Sequence, residues 1–197
     1  MGRNHNQRNG GDPAFRGKRL FLSIDLPDYV KDSLSSLKED DVKGFHWVPR
    51  ERFHLTLKFI GDIPGQLQKD VESAIDPLEV HSFLLPIEGL GSFPPMGKAH
   101  AVWTGLSNGH PRLFQLQKRI EDALFSIGIE PEKRLYHPHI TVARVNHAAD
   151  ESVRQFLKRH ADFGAAPFKV EAFHLMESRV EDGRRVYSIE RTWKLLP

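Results

Sequence analysis

The sequence predicts an α+β fold, and three observations lead there. Short runs rich in Phe, Ile, Val and Leu, closed by Gly, Pro or Asp, read as strands. Segments with apolar residues three and four apart read as amphipathic helices. The two kinds are mixed, without the strict strand–helix–strand alternation of a doubly wound parallel sheet.

Taken in order, structure begins near Arg19. RLFLSIDLP, residues 19–27, is a buried strand ended by Pro27. Residues 27–40 place Val30, Leu34 and Leu37 on one helical face, with Pro27 or Asp28 suited to the start. FHWVP is a short extended piece, and RFHLTLKFIGDIP, residues 52–64, is a strand closed by Gly61 and Pro64. Residues 65–76 align Leu67, Val71 and Ile75 on a second helix. Residues 79–90 and 99–106 are two strands around the loop GSFPPMGK. Residues 111–127 give the clearest helix, with Leu113, Leu116, Ile120, Leu124 and Ile127 on one face and Gly128 as a stop. RLYHPHITVAR, residues 134–144, reads as a strand, and residues 150–160 as a short helix capped by Asp150. Residues 166–178 and 184–195 are the last two strands, around a turn at residues 181–183.

Composition excludes several classes. A chain of 197 residues buries roughly two-thirds of its unfolded surface, so a true core is expected. There is no cysteine, hence no disulfide framework, no Cys-ligated metal and no thiol nucleophile. No run reaches about 18 consecutive apolar residues, so no membrane-spanning helix is expected. The opening MGRNHNQRNGGDP lacks the apolar stretch of a secretory signal. A cytoplasmic location, no membrane contact and a monomer are the expectations.

The formal net charge of +2 is misleading. Residues 1–19 hold five basic groups and one acid, which leaves 23 basic against 25 acidic groups in the rest. The body is therefore slightly acidic, and any phosphate recognition is local. Residues 1–17 have the composition of a disordered basic tail. Residues 18–197 then form a single domain.

One motif occurs twice. HLTL spans residues 54–57 and HITV spans residues 139–142. In a strand, residues i and i+2 share a face. His54 and Thr56 point one way, as do His139 and Thr141, while the aliphatic residues between them enter the core. Such a pair suits phosphoester chemistry, which needs a base for the attacking oxygen and an acid for the departing one. Imidazole titrates near pH ~6.5, so one copy can be neutral while the other is cationic. The threonine hydroxyls can donate to nonbridging phosphate oxygens beside each imidazole. Two half-sites on related strands can flank one phosphorus, as in-line displacement requires.

With these residues in place the chain resembles the 2H phosphoesterases, specifically their RNA 2′,3′-cyclic phosphodiesterase branch, also called 2′-5′ RNA ligase-like. The resemblance runs from about residue 19 to residue 196. It rests on RLFLSIDLP, WVPRERFHLTLKFIGDI, GSFPPMGKAHAVWTGL, YHPHITVAR and LMESRVEDGRRVYSIERTWKL. It implies a bilobal, pseudo-twofold arrangement of two mostly antiparallel sheets lining a central cleft, with helices outside. It also implies a metal-independent reaction without cofactor, in which water opens a ribose 2′,3′-cyclic phosphate to a 2′-phosphate. The substrates implied are RNA with 2′,3′-cyclic phosphate ends, or cyclic nucleotides. By motif position, His54 would be the proton donor, His139 the proton acceptor, and Thr56 and Thr141 the phosphate-binding residues. The motifs are nearly symmetric, so the residues alone leave open which imidazole is acid and which is base. Weak reverse 2′-5′ ligation would use the same groups. The alternatives are a phosphodiesterase for another cyclic phosphate, or a non-catalytic module that binds RNA ends or nucleotides.

Other signals are weaker. Arg144 lies five residues after His139, so an unbroken strand turns it to the opposite face. Phe59 holds the corresponding place in the first motif. Lys58 shares the parity of His54 and Thr56 and is expected as an exposed edge lysine. Trp47, Phe93 and Tyr136 lie near the motifs and could stack on a nucleobase, although most aromatics are core residues. His137 and His139 form an H-x-H pair, but Asp62, His46 and His174 are not at any recognised spacing for a third ligand. GSFPPMGK has five residues between Gly91 and Gly97, and Ala99 stands where a phosphate loop needs Ser or Thr. No G-x-S-x-G elbow is present.

Overall fold

A computed structural model gives the fold and describes residues 17–106, 110–146 and 150–197. Nine strands form two sheets among the described residues. The first sheet contains β1 (Gly17–Asp25) and β3 (His54–Pro64), with β8 (Ala172–Glu181) and β9 (Arg184–Lys194). Its order is β3-β1-β8-β9. The second contains β2 (Phe45–Trp47), β4 (Phe83–Phe93), β5 (Ala101–Gly105), β6 (Ile140–Val145) and β7 (Gly164–Val170), in the order β2-β6-β5-β4-β7. Every ladder between these strands is antiparallel. The predicted α+β class is the one observed. The predicted tail lies, apart from Gly17, outside the described residues.

Among the described residues four α-helices cover the sheets: α1 (Asp28–Ser35), α2 (Gly65–Ile75), α3 (Pro111–Ser126) and α4 (Asp150–Arg159). Helices α2 and α3 pack on β3, α4 on β4, and α1 on β7. Helix α3 shows why periodicity works. Leu113, Leu116, Ile120 and Leu124 are all fully buried along one stripe, each contributing about 1.5–3 kcal/mol. Pro111 sits at the first helical position, and His110 caps the helix by accepting from the Arg112 N–H at 3.2 Å. Gly128 ends it at φ 83°, a left-handed conformation that a side chain resists.

Three sequence-based expectations change. Residues 166–178 are not one strand: β7 joins the second sheet and β8 the first. The pattern of burial explains the division. Phe168 and Val170 are buried, then Phe173 and Leu175, so the alternation slips at Glu171 where the chain crosses between sheets. The strand predicted over residues 134–144 begins only at Ile140, because Pro138 has no N–H to give a ladder. Lys58 is not exposed. It is 3% accessible, and its Nζ donates to Glu121 Oε2 at 3.0 Å and to the Glu130 carbonyl at 2.9 Å. Among the described residues no helix is long and apolar enough to cross a membrane.

Candidate active site

The two motifs begin where irregular backbone enters a strand. Before β3, a 3-10 turn at Arg50–Arg52 follows Pro49. Arg50 ties this turn to α1 through Asp28 (3.0 Å) and Asp32 (2.6 Å). The turn ends at Phe53, leaving the Arg52 carbonyl to accept from His54 Nδ1 at 2.7 Å. Before β6, the Pro138 segment does the same. His139 Nδ1 donates to the His137 carbonyl at 2.8 Å. A carbonyl only accepts, so each Nδ1 carries the hydrogen. In the neutral ring the other nitrogen, Nε2, is then the free base, fixed by the same local bond in both copies.

From each histidine the two strands run through the same burial sequence. His54 and Thr56 are half-buried, Leu55, Leu57 and Lys58 are buried, and Phe59 is exposed. His139 and Thr141 are half-buried, Ile140, Val142 and Ala143 are buried, and Arg144 is exposed. Both strands carry a bulge at the third residue after the histidine. The β1 partners step from Lys58 to Thr56 and skip Leu57. The β5 partners step from Ala143 to Thr141 and skip Val142. An extra residue in a strand shifts parity by one. Arg144 therefore returns to the face of Thr141, against the expectation from an unbroken pleat. The adjacent apolar pair Val142–Ala143, which breaks alternation, is the signal for this in the sequence.

The imidazoles sit in aromatic surroundings. His54 packs against Phe21 (ring centroids 5.1 Å) and edge-on to Tyr187 (5.3 Å). His139 packs edge-on to Phe93 (4.9 Å) and near Trp103 (6.2 Å). Gly91 lets Trp103 lie down, since a Cβ there would be 2.4 Å from the indole ring. Phe93 thus serves His139 as a wall. Trp47 instead joins Phe45 and Phe156, with its Nε1 donating to the Glu39 carbonyl at 3.2 Å. Tyr136 reaches across to the other motif, where its hydroxyl donates to the Thr56 carbonyl at 3.0 Å. Burial raises the Tyr136 phenol above its ordinary value.

The two half-sites lie within reach of each other's charge. Strands β3 and β6 belong to different sheets yet touch. Burial is the main force holding His54 below its ordinary value. The bond to Arg52 and the charge of Asp25 oppose it, while the charges of His139 and Arg144 push further down. His139 is lowered as well, first by burial and then by His137 and Arg144, against the bond to His137. The charges of His139 and Arg144 thus reach His54, and that of Arg144 reaches His139. Asp25 stands directly opposite His54 in the β1–β3 ladder and pairs with Lys31 at 2.7 Å. Sequence reasoning misses it, because register is needed to place it.

Among the described residues no three His, Cys, Asp or Glu side chains converge as a metal site. His137 packs edge-on to Trp103 (4.7 Å) and to Phe93 (5.4 Å).

Comparison with known proteins gives a consistent result. The family model described as the 2′-5′ RNA ligase superfamily matches residues 26–182. An RNA 2′,3′-cyclic phosphodiesterase of Methanocaldococcus jannaschii is 25% identical over 177 residues, covering 89% of this chain and 99% of that protein. Another from Methanothermobacter thermautotrophicus is 36% identical over 134 residues, covering 64% and 71%. The solved structure of Escherichia coli LigT in apo form superposes with a TM-score of 0.77 at 23% identity, covering 92% of this chain and 99% of that one. That likeness is one of fold: two antiparallel sheets and four helices.

Proposed function

The chain belongs to the 2′-5′ RNA ligase superfamily, and from that premise we propose that it hydrolyses RNA or nucleoside 2′,3′-cyclic phosphates to 2′-phosphates. The names of its relatives support the general activity of an RNA 2′,3′-cyclic phosphodiesterase. The observation that carries the finer reading is the matched pair of histidines. Each holds Nδ1–H on a carbonyl two residues back and leaves Nε2 free.

In this mechanism His139 accepts a proton from water as the water oxygen attacks phosphorus. The bond from phosphorus to the ribose 3′ oxygen breaks, and His54, entering protonated, gives its proton to that oxygen. His54 ends neutral and His139 protonated, and exchange with solvent resets the pair. Thr56 and Thr141 donate to the nonbridging oxygens, and Arg144 supplies positive charge to the phosphate. Burial lowers both imidazoles, and the charge of Asp25 opposes that lowering at His54 alone, the side assigned to the acid. The proton transfers in this mechanism use only side chains of this chain and call for no metal. With the 5′-hydroxyl of a second RNA in place of water, the same groups join it to the cyclic end as a 2′-5′ linkage: His139 takes the hydroxyl proton as that oxygen attacks phosphorus, the bond to the 3′ oxygen breaks, and His54 protonates the departing oxygen.

The test is product analysis on a short RNA with a 2′,3′-cyclic end, in excess EDTA. The 2′-phosphate alone is expected. The 3′-phosphate, or loss of turnover on chelation, would contradict the mechanism. Binding of the RNA without turnover would favour the non-catalytic reading.

A further inference from the structure

The segment that leads into the second motif is fastened to the strand that carries the first. Two contacts do this. Lys58 on β3 donates from its buried Nζ to the Glu130 carbonyl at 2.9 Å. Tyr136, three residues before His139, donates from its hydroxyl to the Thr56 carbonyl at 3.0 Å. Among the described residues β3 is an edge strand of its sheet, laddered to β1 alone. The Tyr136 ring is set by an edge-on contact with Phe114 of α3, centroids 6.0 Å apart. One hydroxyl therefore connects the backbone of the first His-x-Thr to the approach of the second.

We propose that Tyr136 is a positioning residue, whose bond to the Thr56 carbonyl sets the spacing between the two histidine half-sites. The role rests on the two-histidine reading above. In-line displacement needs the acid and the base on opposite sides of one phosphorus, and a misplacement of about 1 Å can cost on the order of 10²-fold in rate. The Tyr136 hydroxyl is thereby committed to the Thr56 carbonyl. It makes no contact with the reacting atoms and acts through Thr56 and His139.

The experiment is a double-mutant cycle on adenosine 2′,3′-cyclic phosphate, with wild type, Tyr136→Phe, His54→Ala and the double variant. If Tyr136 serves the cooperation of the two imidazoles, its loss matters only while both act. Tyr136→Phe should lower kcat about 10- to 100-fold in the wild-type background, with KM within about 3-fold. In the His54→Ala background the same change should cost about 2-fold or less. Affinity for adenosine 2′-phosphate, by calorimetry, should stay within about 3-fold of wild type. Equal losses in both backgrounds, no loss in the wild-type background, or an unfolded Tyr136→Phe would each overturn the positioning role. A wild type active on this substrate and matched by Tyr136→Phe would overturn that role alone. An inactive wild type would sink the two-histidine reading and the role with it.

Discussion

Leu57 and Val142 hold the same place in two different strands. Each is the unpaired residue of a bulge, three positions after a histidine, and each is buried. Both bulges bury the residue that follows and turn the next one outward, Phe59 in one copy and Arg144 in the other. The pseudo-twofold relation therefore extends beyond the His-x-Thr motif into the backbone. It breaks chemically at the position that follows, where β6 has the cation Arg144 and β3 has the aromatic ring of Phe59. Of these two corresponding positions, only the one on β6 carries a positive charge.

The first prediction concerns the imidazoles. His54→Ala and His139→Ala should each lower turnover by about 10²–10⁴-fold, the usual worth of a positioned acid or base. Far-ultraviolet circular dichroism should be unchanged. Retention of most activity by either variant would remove that residue from the proton-transfer pair.

The pH dependence follows from the shifts at both sites. His54 and His139 lie below the ordinary imidazole value, which is about 6.5. The active form has one proton on the pair, so kcat/KM should be bell-shaped and centred below pH ~6.5. The two limbs belong to the coupled pair. Stability has a matching sign. The unfolded chain binds protons more readily than the folded one in this window, so the contribution of these groups is intact above about pH 6.5 and is lost as the pH falls through the lowered values. A rate profile that is flat, or that rises to a plateau above neutrality, would contradict the assignment.

Arg144 supplies a test of the bulge. If it faces the phosphate, Arg144→Gln should raise KM for a cyclic nucleotide about 10- to 100-fold, as loss of a charge-assisted hydrogen bond does. The residue remaining there is polar and exposed, so the melting temperature should barely move. An unchanged KM would return Arg144 to the solvent-facing role that regular strand parity assigns.

Lys58 is predicted to matter for stability. Its Nζ and the Glu121 carboxylate are buried together at 3.0 Å between β3 and α3. Lys58→Ala leaves that carboxylate without its cation, held by the Gln117 amide at 3.1 Å, and should cost about 3–5 kcal/mol in chemical denaturation. A loss below about 1 kcal/mol would show that the pair is solvated.

These residues differ in how far the amino-acid sequence alone places them. The stripe of Leu113, Leu116, Ile120 and Leu124 is legible because a helix keeps its period through burial. The paired motif is legible because type and spacing recur. The placement of Arg144 is not, since a period of two assumes a regular pleat and Val142 breaks it. Lys58 departs from the expected edge position for the same reason: the bulge at Leu57 turns it inward. The division of residues 166–178 between two sheets leaves only the slip in alternation at Glu171. Asp25 opposite His54, and Tyr136 on the Thr56 carbonyl, depend on register and on contact between distant segments. No local pattern encodes either.

The central claim is that two imidazoles from different sheets address one phosphorus. A crystal structure with adenosine 2′-monophosphate tests it most directly. The account predicts His54 Nε2 and His139 Nε2 each within about 3.2 Å of phosphate oxygens, on opposite sides of the phosphorus. A phosphate held by one imidazole alone, or seated where neither reaches it, would contradict the account.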